Sequence, residues 1–250
     1  MKVLIIIPAY NEDKSLNRVI EHLKNTCPQY DYLIVNDGST DRTKEICRKN
    51  RYHVIHHPIN QGLTRAMQTG MKYALENNYD MALQFDADGQ HLPEYIEDMV
   101  TCMVKTGCDI VIASRFYGTK MPVRMRTVGG KMISSAIWMT TGKYLTDPTS
   151  GMRLYRKNII RLFANSTSYA PEPDTLAYLI RMGANVQEVK VEMKERKTGQ
   201  SYLNPVNAAK YMVRVLSSIL FFQWFCERKS VRNDIEKFRE SLHYDIDRTA

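Results

Sequence analysis

Residues 83–91 read Leu-Gln-Phe-Asp-Ala-Asp-Gly-Gln-His, so an apolar run leads directly into two carboxylates, a glycine and an amide. The run Met81–Phe85 is typical of a buried strand. Asp86, Asp88 and Gln90 would follow its end, where open α/β sheets bind ligands, and would share one side of an extended chain. Because carboxylate and amide oxygens suit Mg²⁺ or Mn²⁺, we predict a metal site here. A surface turn without a ligand is the alternative.

The chain around this stretch alternates between apolar runs and amphipathic segments. Strands are predicted at Val3–Ile7, Tyr32–Val35, Val54–Ile55, Met81–Phe85 and Ile110–Ala113. Helices are predicted at Asp13–Thr26, from the Ser39–Thr40 cap to Asn50, at Leu63–Glu76 and at Pro93–Lys105. This alternation predicts an α/β fold with a mostly parallel central sheet and helices on both faces. The loops that follow the strands should meet at one edge, and they contain Tyr10, Asp37, Gly62 and Asp86.

Beyond Ala113 the pattern becomes irregular. We predict, in order, a basic loop Ser114–Arg126, a helix Thr127–Thr141, a turn Asp147–Gly151, a short strand Met152–Tyr155, a helix Asp174–Met182, a strand Val186–Met193 and a polar loop Lys197–Asn204. A helix Pro205–Cys226 and a charged tail complete the chain. We assign residues 1–204 to one domain and residues 205–250 to an extension of amphipathic helices.

The positive charge is concentrated in one segment. The chain has 250 residues and a formal net charge of +8, yet between Asp109 and Glu172 it carries ten basic residues and a single acid, Asp147. A local field of one sign indicates an anionic partner, which could be a diphosphate, an anionic lipid surface or a nucleic acid. Arg115, Arg124 and Arg126 are candidates for binding a phosphate, because the guanidinium group matches phosphate oxygens.

Several classes of protein are disfavoured. The chain has neither a GxGxxG nor a GxxxxGK[ST] motif, which argues against a dinucleotide dehydrogenase and a P-loop NTPase. Its five cysteines form no CxxC pair and are typical of free thiols in a reducing cytoplasm. The apolar run Val3–Ile7 ends at Pro8 and is too short for a secretory signal peptide.

Two single residues and one loop have alternative roles. Asp37, at a strand end before Gly38, could bind a base or a ribose, or could only cap a turn. Asp147 could act as a general base, or could pair with a neighbouring arginine to fix a loop. The segment around Arg196 could close over a diphosphate, or could be an exposed charged hairpin.

The apolar run near the C-terminus is too short to cross a membrane. Val215–Cys226 spans twelve residues, whereas a membrane-spanning helix needs about 20. Aromatic residues at 221–225 with flanking bases fit a helix on the membrane surface. Packing on the core or on a second subunit is the alternative, which leaves a homo-oligomer through the C-terminal helices open.

Six motifs in order resemble family 2 glycosyltransferases of the GT-A fold. They are Ile5–Glu12, Val35–Asp41, Asp86–His91, Ala113–Phe116, Asp147–Arg153 and Glu195–Ser201. Together they are most similar to the branch that contains dolichyl-phosphate mannosyltransferase and bacterial polyprenyl-phosphate glycosyltransferases. The resemblance covers roughly residues 1–204.

The resemblance implies inverting transfer of a sugar from a UDP- or GDP-sugar to a polyprenyl phosphate, with Mg²⁺ or Mn²⁺, by an enzyme peripheral to the cytoplasmic membrane face. The metal ligands would be Asp86, Asp88 and Gln90. The nucleotide-sugar site would comprise Pro8, Tyr10, Glu12, Val35, Asp37, Gly62, Asp86, Ala87 and Arg196. The acceptor phosphate would bind Arg115, Arg124 and Arg126, and the residues acting in catalysis would be Asp88, Asp147, Arg115 and Arg196.

Two other functions remain as alternatives. Transfer to a hydroxyl of a polysaccharide or glycolipid would need a general base, for which Asp147 is a candidate. A basic module that binds nucleic acid or anionic lipid would not need the oxygen ligands that follow the fourth strand. We therefore expect an enzyme that does not bind nucleic acid.

Overall fold

A computed structural model describes residues 1–118, 125–166, 169–194 and 205–221. The strands are β1 Val3–Ala9, β2 Asp31–Asp37, β3 Val54–His57, β4 Met81–Gln84, β5 Ile110–Ser114, β6 Arg153–Arg156 and β7 Val186–Lys190. The helices are α1 Leu16–Thr26, α2 Thr43–Lys49, α3 Leu63–Glu76, α4 Ile96–Thr106, α5 Met125–Thr141, α6 Lys157–Asn165, α7 Pro173–Arg181 and α8 Pro205–Leu220. A 3₁₀ turn, Pro93–Tyr95, leads into α4.

The seven strands form one sheet in the order β3-β2-β1-β4-β6-β5-β7. All pairs are parallel except those of β6, which runs antiparallel between β4 and β5. The predicted α/β fold with a mostly parallel sheet is confirmed. The antiparallel strand was not predicted, and it matters for the site. Since β6 begins where β4 and β5 end, the turn that precedes it lies at the ligand-binding edge.

Helices cover both faces of the sheet because its central strands are apolar on both sides. In β1, Leu4 and Ile6 join a core formed with α3, α5, α6, α7 and α8. Ile5 and Ile7 join the opposite core, which includes residues of α1 and α4. Gly70 lets α3 approach β1 closely, since a methyl group there would overlap the Ile6 side chain. Packing of both faces thus fixes the sheet that carries the loops.

Helix α6 was not predicted from the sequence. It follows β6 without an intervening loop, and its start lacks a side-chain cap. The predicted helices near α5, α7 and α8 are present, although α7 begins earlier, with Pro173 in its first turn. Helix α8 packs against α5 and α7, and the loop Lys197–Asn204 and the charged tail lie outside the described residues. Within the described part, no helix has the length and hydrophobicity needed to cross a membrane.

Candidate active site at the carboxyl edge of the sheet

The two carboxylates predicted as metal ligands follow β4 directly. The Gln90 N–H donates to Asp88 Oδ1 at 2.9 Å, and Gly89 between them has a φ of +77°, so the chain turns sharply there. The Asp86 side chain is 35% exposed and therefore remains accessible from solvent. The expectation that Asp86, Asp88 and Gln90 share one side of an extended chain is therefore wrong, because β4 ends at Gln84 and the chain turns before Gln90. The three residues lie instead in one short loop at the edge of the sheet.

His91 contacts the first of these carboxylates. Its Nε2 lies 3.3 Å from Asp86 Oδ2, and the imidazole is almost completely buried. Partial desolvation raises the pKa of the Asp86 carboxyl, but the hydrogen bond and the charge of His91, followed by the hydrogen bond from Gln84, outweigh it and hold this pKa below its usual value. The shift favours the ionised carboxylate, which is the form that binds a metal ion.

This donor set fits a divalent cation with oxygen preference. Among the described residues, no three His, Cys, Asp or Glu side chains cluster closely enough to hold a metal ion by themselves. The predicted site consists instead of two carboxylates and the Gln90 amide, which leaves coordination positions for phosphate oxygens. Gly151 supports this arrangement, since a side chain there would fill the space beside the Asp86 carboxylate. Asp86, Asp88 and Gln90 stay the predicted ligands of Mg²⁺ or Mn²⁺.

Asp37, at the end of β2, is buried and organises the loop that leads into α3. Its carboxylate accepts hydrogen bonds from the N–H groups of Gln61 at 3.0 Å and Gly62 at 2.7 Å. His57 Nδ1 lies 2.7 Å from Asp37 Oδ1, and its Nε2 lies 2.8 Å from Thr69 Oγ1. The expected meeting of the Asp37 and Gly62 loops is confirmed, and His57 was not foreseen as the residue that fixes Asp37.

Replacing Gly38 should destabilise the protein, and Gly142 offers a matched control. Both have positive φ, +66° and +74°, but a methyl group on Gly38 would overlap the Ile59 and Asn60 backbone, whereas Gly142 has no described atom within 4 Å. We expect Gly38→Ala to lower the free energy of unfolding by more than about 2 kcal/mol, and Gly142→Ala by about 1 kcal/mol. Urea denaturation measures both. Equal losses would contradict the close approach of the loop after β2 to the loop between β3 and α3.

The other predicted nucleotide-binding residues lie along the ends of β1 and β2. Pro8 and Val35 are partners in the β1–β2 register, and the Val35 side chain is fully buried. Tyr10 is exposed beyond β1. The Glu12 N–H donates to Thr43 Oγ1 at 2.9 Å, which ties the β1 loop to α2. Ala87, between the two aspartates, is buried.

Asp147 forms a bidentate ion pair with Arg115. Arg115 Nε and Nη2 donate to its two carboxylate oxygens at 2.6 and 2.8 Å, and the Arg115 N–H donates at 3.2 Å. The Asp147 side chain is 1% exposed, whereas Arg115 is 38% exposed. This hydrogen-bonded pair raises the pKa of Arg115 further. The pairing with a neighbouring arginine that was considered for Asp147 is therefore present, and its role in catalysis stays a prediction.

Glu188 supports this pair from β7 and was missed in the sequence. Its carboxylate accepts hydrogen bonds from the N–H groups of Thr146 at 2.8 Å and Asp147 at 2.9 Å. The two residues lie about forty positions away from Glu188, so no local pattern could reveal the contact. Arg124, Arg196 and the side chain of Arg126 lie outside the described residues, so their predicted roles stay predictions.

Comparison with known proteins identifies the family of this chain. Residues 4–163 match the model of Glycosyl transferase family 2. This chain belongs to that family. The chain is therefore a glycosyltransferase, and the sequence resemblance to this family is confirmed.

Two relatives cover most of the family 2 chain. It is 31% identical over 249 residues to an undecaprenyl-phosphate mannosyltransferase of Micrococcus luteus, covering 90% of this chain and 96% of that protein. It is 31% identical over 228 residues to a polyprenol monophosphomannose synthase of Mycolicibacterium smegmatis, covering 86% and 85% respectively. The predicted branch of the family is thereby confirmed.

A solved structure shows the same fold. Glucosyl-3-phosphoglycerate synthase of Mycobacterium tuberculosis, crystallised with Mn²⁺, UDP-glucose and phosphoglyceric acid, superposes with a TM-score of 0.63 at 15% identity. The match covers 91% of this family 2 chain and 81% of that protein. At this identity the comparison establishes the GT-A fold and nothing finer.

Proposed function

We propose that this glycosyltransferase moves a sugar from a nucleoside-diphosphate sugar to a polyprenyl phosphate, with inversion at the anomeric carbon and with Mg²⁺ or Mn²⁺. The observation that carries the proposal is the Arg115–Asp147 pair. Both oxygens of Asp147 accept hydrogen bonds from Arg115, which supports a reaction that needs no general base at this position. A lipid phosphate is already ionised at neutral pH and needs none. The partly exposed Arg115 guanidinium suits the phosphate of such an acceptor.

The described residues have distinct roles in the proposed reaction. The loops at Tyr10, Asp37 and Gly62 would bind the nucleotide. Asp86, Asp88 and Gln90 would hold the cation, whose charge would stabilise the diphosphate leaving group. Arg115 would place a phosphate oxygen of the acceptor opposite the leaving group. That oxygen forms the new bond to the anomeric carbon as the bond to the diphosphate breaks, which gives inversion.

Nucleotide release tests this function directly. UDP- and GDP-sugars would be offered with Mn²⁺, with and without a polyprenyl phosphate. We expect nucleoside diphosphate to be released from one donor only when the lipid is present. Release that is independent of the lipid but rises with a polysaccharide or glycolipid would favour a hydroxyl acceptor and contradict the proposal. The donor that supports release also identifies the base and the sugar.

We further propose that the enzyme acts as a peripheral protein at the cytoplasmic face of a membrane. Eight of the thirteen exposed large apolar residues in the described part lie in two segments, at Tyr117, Val128, Met132, Trp138, Met139, Tyr144, Val213 and Phe221. Helices α5 and α8, which contact each other, hold five of them and contain no acidic residue. An apolar surface with basic residues suits an anionic lipid headgroup layer. The cysteines of the described part are all free, as in a reducing cytoplasm.

Trp138 provides a probe of this surface. The chain has two tryptophans, so Trp224→Phe leaves Trp138 as the only one. We expect phosphatidylglycerol vesicles to shift its fluorescence to shorter wavelength, and Met132→Ser with Met139→Ser to weaken vesicle binding about tenfold or more. Val104→Ser, at an exposed valine of α4, is the control and should change nothing. A concentration-dependent shift without vesicles would instead indicate a homo-oligomer through these helices.

A further inference from the structure

Gly151 lies directly against the carboxylate of Asp86. A methyl group at Gly151 would overlap Asp86 Oδ2 and would lie 3.4 Å from His91 Nε2. The φ of Gly151 is not positive, so its backbone conformation is open to any residue. The glycine is therefore required by the space beside Asp86 and not by the backbone.

His91 contacts the same oxygen of Asp86 beside Gly151. Its Nε2 lies 3.3 Å from Asp86 Oδ2, and only 2% of its side chain is exposed. Its Nδ1 is buried with no hydrogen-bond partner among the described residues. An unsatisfied buried polar atom costs about 1–3 kcal/mol, a cost that leucine or phenylalanine would avoid at this position. The contact with Asp86 gives a reason for an imidazole here.

The turn that ends at Gly151 is held by buried hydrogen bonds and also contacts the residue proposed for the acceptor side of the site. It begins at Asp147, which binds Arg115. Arg153, buried after the turn, donates from Nε to the Ser150 carbonyl at 2.9 Å and from Nη2 to the Pro148 carbonyl at 2.7 Å. A single fixed turn thus contacts Asp86 at one end and Arg115 at the other.

We propose that Gly151 and His91 are positioning residues that fix the Asp86 carboxylate for cation binding. The turn Asp147–Gly151 then sets the metal side of the site relative to Arg115. This inference rests on the proposed metal dependence of the enzyme. Groups that orient a metal-ligating carboxylate without touching the metal typically change metal affinity by about 10–100-fold.

Mn²⁺ binding to the full chain, followed by the electron paramagnetic resonance of free Mn²⁺, tests this without turnover. We expect Gly151→Ala and His91→Leu to weaken Mn²⁺ binding at least about tenfold. His91→Gln keeps an N–H donor near the position of Nε2 and should stay within about threefold of wild type. Gly130→Ala is the matched control, because Gly130 lies within α5 with no described atom within 4 Å of an added methyl group.

The outcomes separate this inference from the function it rests on. Wild-type affinity in both Gly151→Ala and His91→Leu would overturn the inference while leaving the metal site intact. Equal weakening in His91→Leu and His91→Gln would show that His91 only packs, which also overturns its positioning role. If the wild type binds no Mn²⁺, the metal site fails and the inference fails with it. Should Gly151→Ala not fold, the comparison of the two His91 variants decides.

Discussion

Asp88→Asn should lower kcat/KM by about a thousandfold, equivalent to about 4 kcal/mol of transition-state stabilisation. Asp88 is one of the two carboxylates in the proposed metal site, and the Gln90 N–H already holds its Oδ1 in place. Asparagine keeps the shape of the side chain but removes the charge that binds the cation. The loss should appear in Mn²⁺-dependent release of nucleoside diphosphate from the donor.

A nearby acid provides the control for this variant. Asp98 lies on the exposed surface of α4, in its first turn, outside the candidate site. Asp98→Asn should leave kcat/KM unchanged within about twofold, because a surface change of this kind alters stability by no more than about 0.5 kcal/mol. If Asp88→Asn retained a tenth or more of wild-type activity, Asp88 would not be a metal ligand.

Asp147→Asn should lower the free energy of unfolding and weaken acceptor binding, while turnover stays measurable. Breaking a fully buried ion pair costs about 3–5 kcal/mol, but Arg115 is partly solvated, so we expect a loss of about 2 kcal/mol in the free energy of unfolding. The KM for polyprenyl phosphate should rise about tenfold or more as Arg115 loses its fixed position. At saturating acceptor, kcat should fall by less than about tenfold.

This variant separates the two roles considered for Asp147. If the acid were a general base for a hydroxyl acceptor, kcat itself would fall by about 10²–10⁴-fold. Arg115→Lys, which keeps the charge but loses the bidentate geometry, is the companion variant. In the pairing role, Asp147→Asn combined with Arg115→Lys should cost little more than either change alone. Additive losses would contradict a functional pair.

Much of the fold could be predicted from the sequence because its signals are local. The apolar runs of β1, β2, β4 and β5 and the spacing of the helices between them correspond to the observed elements. The convergence of their loops follows from the parallel sheet. The direction of β6 could not be predicted, because a four-residue strand carries no sign of the neighbour it will pair with.

The candidate site was predictable only as far as its residues follow the strand ends. Asp37, Asp86 and Asp88 satisfy this rule. The residues that hold them do not, because His57, Glu188 and Gly151 act across contacts formed only when distant elements pack. His91 lay inside the decisive stretch, yet nothing in the sequence shows that its imidazole is buried against Asp86. Such partners become visible only in three dimensions.

The mass of the lipid product tests the central claim most directly. Polyprenyl phosphate would be incubated with the donor that supports nucleotide release, with Mn²⁺ and the wild-type enzyme, and analysed by mass spectrometry. We predict a glycosyl phosphodiester, in which one sugar residue is attached to the lipid phosphate for each nucleoside diphosphate released. Nucleotide release that leaves the lipid phosphate unmodified, with the sugar recovered on a hydroxyl or free in water, would contradict the account.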